Sequence, residues 1–167
     1  VRPGESFDVS IRAEDRYFNR AKAPIPEFAV FANDKLLRTV AASDEAITVL
    51  HDVQFSEPGV YRITIRSADD AIVGVGNPIL VSNEANKIYW GDTHGHSGFA
   101  EGMGSADRFM SWAKDDARLD FVTHSEHDIW MDDHEWDVLI KNVSKYSEPG
   151  RFVGFLGYEW TTKNISG

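Results

Sequence analysis

The sequence predicts a multidomain β plus α/β chain, with an all-β domain over residues 1–86 joined without a long linker to an α/β domain over 87–167. Three observations predict it. Apolar and polar residues alternate in short runs through the first half, with turn residues between the runs. From Lys87 onward the runs become nearly continuous in apolar residues and are separated by stretches with helical spacing. The composition, 42% hydrophobic and 26% charged over 167 residues, is that of a chain able to bury a core.

The strands of the first half follow in order. Phe7, Val9 and Ile11 alternate, as do Tyr61, Ile63 and Ile65, and further apolar runs cover 28–31, 36–40, 47–53 and 79–81. Asn33-Asp34, Pro58-Gly59 and Asn77-Pro78 punctuate them as turns. Runs at this spacing suit a β-sandwich, and roughly 85 residues suffice for an immunoglobulin-like domain of about seven strands.

In the second half Ile88, Tyr89 and Trp90 make a strand that ends in a Gly-rich loop. Ser105 caps a helix along which Ala106, Phe109 or Met110, Ala113 and Ala117 share one face. Phe121 and Val122 begin the next strand. Asp132 and Asp133 offer N-caps with Glu135 in the first turn, and Trp136, Leu139, Ile140 and Val143 repeat at helical spacing until Pro149-Gly150. Residues 152–156 form the third strand. Strands linked by helices in this way are expected to be parallel and buried on both faces.

Charge and composition exclude several classes of partner. With 17 Lys+Arg against 27 Asp+Glu, the net charge is -10, which argues against nucleic acid or an anionic membrane surface as a partner. There is no cysteine, so neither a disulfide framework nor a thiolate zinc site can form, and histidine and carboxylate are the strong ligands available. No apolar run reaches membrane length. The first residue is Val1, so any targeting segment lies outside this stretch, and the sequence assigns no compartment.

Five of the six histidines, His94, His96, His124, His127 and His134, share one segment with Asp92, Glu101, Asp120, Glu126, Asp128, Asp132 and Asp133. An acidic solvated face gives no reason to gather imidazoles, whereas a metal site does. His94 and His96 stand at i and i+2, so in an extended chain both rings leave on one side. His127 follows His94 by 33 residues and Glu159 follows His127 by 32, about one strand-helix-strand step. Three candidate ligands thus recur once per unit just past a strand's C-terminal end, where parallel α/β folds build their sites. Imidazole and carboxylate suit zinc, manganese or iron, and a carboxylate such as Glu159 can bridge two ions in a site that activates water.

At these residues the sequence resembles the PHP (polymerase and histidinol phosphatase) family of metal-dependent phosphoesterases, whose members use a distorted seven-stranded β/α barrel. His94-Gly95-His96-Ser97-Gly98-Phe99-Ala100-Glu101-Gly102 follows the family's opening H-x-H, serine and acid-glycine pattern, with Glu101 in place of the usual Asp. Ser125-Glu126-His127-Asp128 stands where the family has Thr-Asp-His, so His127 matches while its two preceding neighbours depart. Glu159, in Gly157-Tyr158-Glu159-Trp160-Thr161, stands at the family's bridging acid. More narrowly, the Tyr-Trp-Gly-Asp-x-His-x-His stretch at 89–96 after a β-domain is similar to an uncharacterised branch of PHP-like proteins.

The resemblance implies two or three divalent ions, zinc or manganese ahead of iron. His94, His96 and Glu159 would hold one cluster, and Glu101 and His127 would contribute to an adjacent ion. No catalytic residue beyond the ligands is implied. Asp92, a candidate to accept an imidazole N–H from His94 or His96, stands around these ligands together with Glu126, Asp128 and His124. For His124 a packed or a solvent-facing role is as good a reading as ligation. The substrate would be a small molecule or a phosphoester. The family's later ligands have no counterpart here, since only three of seven barrel units are present, and three units alone leave open edges. These 167 residues are therefore expected to be a fragment, a nicked piece or part of a longer protein, inactive alone and partnered by the remaining barrel segment.

Two other readings stay open: an amidohydrolase-like barrel acting on C–N or ester bonds, which also begins with H-x-H, and an immunoglobulin-like binding module with an inactive barrel. Among smaller features, His134 reads as part of a helix cap and His51 as structural. The five tryptophans read mostly as core, with Trp130 placed to wall a substrate pocket. The acceptor patterns Asn142-Val143-Ser144 and Asn164-Ile165-Ser166 read as chance.

Overall fold

The computed structural model of the chain describes residues 1–84 and 86–161. The chain is β-rich with few helices, and it divides into two compact units, Val1–Ile88 and a second that begins at Tyr89. The Asn164 acceptor pattern lies outside the described residues.

The first unit contains β1 (Phe7–Arg12), β2 (Phe28–Ala32), β3 (Lys35–Val40), β4 (Ile47–Val53), β5 (Gly59–Ser67) and β6 (Val73–Val81). β1 and β4 pair antiparallel as one sheet, while the other four strands form a second in the order β3-β2-β5-β6. Alternation decides which side chains go inward: Phe28, Val30 and Ala32 of β2 are buried, and they join Leu50, Val53, Ile63 and Val81 in one cluster drawn from both sheets. The β2–β3 hairpin closes on two residues, Asn33 and Asp34, both at positive φ (47° and 64°), as a type I′ turn requires. Asn33 ties that turn to β5 by accepting the Arg62 N–H and donating to the Val60 carbonyl.

Asn77-Pro78 is not a turn. Both residues lie inside β6, with Pro78 opposite Arg62 beside a register shift. β6 is an edge strand of its sheet, and an edge tolerates the missing proline N–H because no neighbour asks for it.

The second unit contains β7 (Gly91–Asp92), α1 (Ala106–Ser111), β8 (Phe121–His127), α2 (Asp133–Tyr146) and β9 (Val153–Glu159). The strands are parallel in the order β7-β8-β9. Ser105 caps α1 by accepting the Arg108 N–H, and a π-helical turn at Trp112–Asp116 carries the helix on. Arg151 donates to the carbonyls of Lys114 and Leu119, satisfying groups left open where that helix ends. Asp132 and Glu135 form a reciprocal capping box at the start of α2. Met110, Ala113, Val122 and Phe152 make the core between helices and sheet.

Three expectations need correction here. The run at 88–90 is not in the sheet: Tyr89 is 63% and Trp90 47% exposed. Trp90 is instead clasped by Asp120, whose carboxylate accepts its N–H (2.7 Å) and whose own N–H reaches its carbonyl (2.7 Å). The ladder starts at Gly91, where a Cβ would lie 2.5 Å from the Phe121 carbonyl, so only glycine admits the close approach. Next, burial on both faces holds for central β8 but not for β9, where Val153, Phe155 and Tyr158 are exposed. Met110 and Val143 approach β9 on one face, at Gly154. Finally, Trp90, Trp112, Trp130 and Trp160 are exposed rather than core, and on α2 Ile140 is exposed while Asn142 is buried. No helix among the described residues is long and apolar enough to cross a membrane.

Candidate metal centre

Parallel pairing sets the site's first two members side by side. β8 and β9 run in register to their C-terminal ends, where His127 stands opposite Glu159. The loop leaving β7 brings the other members. Gly95 exchanges backbone and side-chain bonds with Ser125: its N–H reaches Ser125 Oγ (3.1 Å) and its carbonyl accepts the Ser125 N–H (3.0 Å). A Cβ at Gly95 would lie 2.5 Å from the Phe109 ring, so the loop sits close over α1 because residue 95 has none. Further on, Gly102 donates to the Ser97 carbonyl (2.9 Å) and Gly98 to the Gly104 carbonyl (2.7 Å). This fold-back returns Glu101 to the histidines.

The result is a compact set of lone-pair donors. His94 Nε2 and His96 Nε2 lie 2.8 Å apart, and Glu159 Oε2 lies 3.1 Å from the first and 3.2 Å from the second. An imidazole nitrogen is either a donor or an acceptor and a carboxylate only accepts, so two such nitrogens and a carboxylate oxygen in mutual contact cannot all be paired by hydrogen bonds at once. They suit a shared cation well: ligand atoms at about 2.0–2.2 Å from an ion, at angles between about 90° and 110°, are separated by about 2.8–3.6 Å. A second set, His96, Glu101 and His127, has its ligand atoms within 4.8 Å of one another. His127 Nε2 is 3.3 Å from Glu101 Oε1, and its Nδ1 lies 3.7 Å from Glu159 Oε2. Because one ring nitrogen serves one ion, His96 cannot belong to both sets at once; His127 turns Nε2 to Glu101 and Nδ1 to Glu159, so the two carboxylates meet different edges of its ring. Every ion-pair partner of Glu101, Glu126 and Glu159 among the described residues is a histidine.

Burial grades across the site. The side chains of His96 and His127 are 12% and 13% exposed, against 57% for His94 and 66% for Glu101. Trp130 meets the His127 ring edge-on at 4.9 Å. Asp92 does not accept from an imidazole; its carboxylate takes the backbone N–H of His94 (3.1 Å), shaping the loop as a local turn. Asp128 accepts the backbone N–H of Thr161 (3.0 Å), a tie between the loops that follow β8 and β9. His124 faces away from the ligands and is fully buried, its ring against Phe109 at 4.7 Å. Its Nε2 donates to Glu126 Oε1 (2.8 Å), which also accepts the Ser97 N–H (2.6 Å). Burial pushes the Glu126 carboxyl up, but the bonds from His124 and Ser97 outweigh it and hold the group below its ordinary value.

Two residues absent from the expected set take part. Thr161 Oγ1 lies 3.3 Å from His127 Nδ1, and its position two residues past Glu159 on an extended chain was a signal for it. Ser97 is fully buried and fixes Glu126 through its backbone, a role that side-chain chemistry does not advertise. His134 lies in the first turn of α2, and His51, in the first unit, pairs with Asp8 at 3.0 Å on an exposed face.

The fold and site define a β-rich chain whose parallel sheet ends in a cluster of histidines and carboxylates. A family model described as a protein of unknown function (DUF3604) matches residues 99–167. The match takes in Glu101, His127 and Glu159 and begins just after His94 and His96. The chain is similar to an uncharacterized protein of Chlamydia pneumoniae, 24% identical over 163 residues that make up 93% of this chain and 26% of that protein. Uncharacterized proteins of Chlamydia muridarum and Chlamydia trachomatis are each 24% identical over 165 residues, 94% of this chain and 27% of theirs. The chain thus spans about a quarter of the length of these curated relatives.

Proposed function

We propose that the chain carries the metal-binding part of a metal-dependent hydrolase that cleaves phosphoesters at a site of two or three divalent ions, zinc or manganese ahead of iron. One observation carries this reading: His94 Nε2, His96 Nε2 and Glu159 Oε2 converge within 3.2 Å of one another, with His127 and Glu101 beside them. In the same reading the parallel β7-β8-β9 sheet is the opening of a PHP-type (β/α)7 barrel, and the first unit is an immunoglobulin-like sandwich.

Such ions, when bound, polarise phosphoryl oxygens and make water acidic enough to supply a nucleophile near neutral pH. The chain's own groups do the rest. His94, His96 and Glu159 would hold one ion and His127 and Glu101 the adjacent one, with the Glu159 carboxylate reaching between them. Thr161 and Trp130 hold the His127 ring in place. The exposed sides of His94 and Glu101 leave an approach from solvent for a small-molecule phosphoester. The net charge of -10 argues against nucleic acid as the substrate.

Elemental mass spectrometry on the full-length protein purified without chelator or affinity nickel tests this, with a His94→Ala/His96→Ala double variant beside it. Two or more equivalents of zinc, manganese or iron are expected, reduced in the variant, followed by release of phosphate from a panel of chromogenic phosphoesters. Cleavage of amide or ester substrates alone would move the reaction to amidohydrolase chemistry. Metal-free protein in both preparations would overturn the reading and favour a binding module.

A further inference from the structure

Two buried polar atoms near the site face one another without a hydrogen bond: Nδ1 of His96 and Oε2 of Glu126, 3.9 Å apart. Glu126 is 1% exposed. The remaining atoms of both groups are engaged. Glu126 Oε1 accepts from Ser97 and His124, while His96 Nε2 is turned to Glu159 and His94. An unmet buried polar atom is costly, and here two complementary ones are set face to face.

We propose that Glu126 is the positioning residue for His96, its carboxylate accepting a hydrogen bond from the Nδ1–H when Nε2 binds an ion. The inference rests on the metal reading above. An imidazole that ligates through Nε2 carries its remaining proton on Nδ1, and a carboxylate accepting a hydrogen bond from it fixes the ring's tautomer and orientation. Glu126 Oε2 is the acceptor that lies beside it. Oε1 is pinned by the Ser97 backbone and by His124, whose ring is wedged against Phe109, so Oε2 has a fixed place from which to meet the ring. A line of contacts, His124 to Glu126 to His96 to Glu159, then runs from the core of the second unit to the site. Glutamine at 126 would keep the shape but not the function: its carbonyl is held by Ser97 and His124, so its NH₂ would face the Nδ1 proton, donor against donor.

The experiment measures zinc affinity by competition with a chromophoric chelator on the full chain, comparing wild type, Glu126→Gln and Glu126→Asp. It adds ¹⁵N imidazole NMR of the zinc-loaded wild type. Glu126→Gln is expected to bind zinc about 10–100-fold more weakly with unchanged circular dichroism, and Glu126→Asp to recover part of the loss. In wild type the His96 signals should show zinc on Nε2 and a slowly exchanging proton on Nδ1. Equal affinity in folded Glu126→Gln would overturn the role of Glu126 alone. So would a His96 bound through Nδ1, a result that stands even if Glu126→Gln does not fold. A wild type that takes up none of zinc, manganese or iron would overturn the metal reading, and this inference with it.

Discussion

Glu159 Oε2 lies between 3.1 and 3.7 Å from three imidazole nitrogens, those of His94, His96 and His127, so it is the atom on which the three rings converge. His127 belongs to the second set alone. His127→Ala is therefore expected to lower the bound metal by one equivalent while the His94, His96 and Glu159 set keeps its ion, as counted by elemental mass spectrometry. Loss of all metal would show that the sets are one. The glycines are as specific as the ligands. A Cβ at Gly102 would overlap the His96 carbonyl and come within 2.8 Å of the Ser97 carbonyl, both backbone atoms that no rotamer change can move aside. Gly102→Ala is expected to weaken zinc binding by about tenfold or more, on the scale of other supporting-residue losses, as read by chelator competition.

Among the elements, the helices of the second unit set how firmly the sheet presents its strand ends. Asp132 caps α2 reciprocally with Glu135, and Asp132→Ala is expected to destabilise the unit by about 1 kcal/mol. Met110 sits on α1 with none of its surface exposed; Met110→Ala is expected to destabilise by about 2–5 kcal/mol because a cavity would open against the sheet. Ile140, on the outer side of α2 and 40% exposed, is the contrast, with an expected change within about 0.5 kcal/mol for Ile140→Ala. Urea titration followed by tryptophan fluorescence measures all three. An Ile140 effect as large as that of Met110 would contradict the assigned faces.

For the molecule as a whole, the five tryptophans all fall after residue 88, so their fluorescence reports on the second unit, which also holds every candidate ligand. If that unit binds zinc or manganese only when folded, metal at about 100 times its dissociation constant should stabilise the tryptophan-reported transition by about 2.7 kcal/mol. The His94→Ala/His96→Ala variant should show a much smaller shift, measured by the same denaturation with and without metal. An equal shift in both would place the binding elsewhere.

Period and punctuation in the sequence determined the strand-rich first unit, the βα alternation of the second, the caps at Ser105 and Asp132, and the spacing that marks His94, His96, His127 and Glu159. These are local or regularly repeating properties, and the chain states them residue by residue. Tertiary structure decided the rest, because it depends on which surfaces meet. Pro78 lies within a strand because β6 is an edge, and β7 begins at Gly91 because Phe121 closes over it. Trp90 and Phe155 stay exposed because burial follows where the helices pack rather than how apolar a run is. For His124 the sequence left packing, solvent and ligation open; β8 turns it inward against Phe109 and leaves Glu126 between it and His96. That outcome depends on which helix covers the face of the strand, a contact between residues distant in the chain.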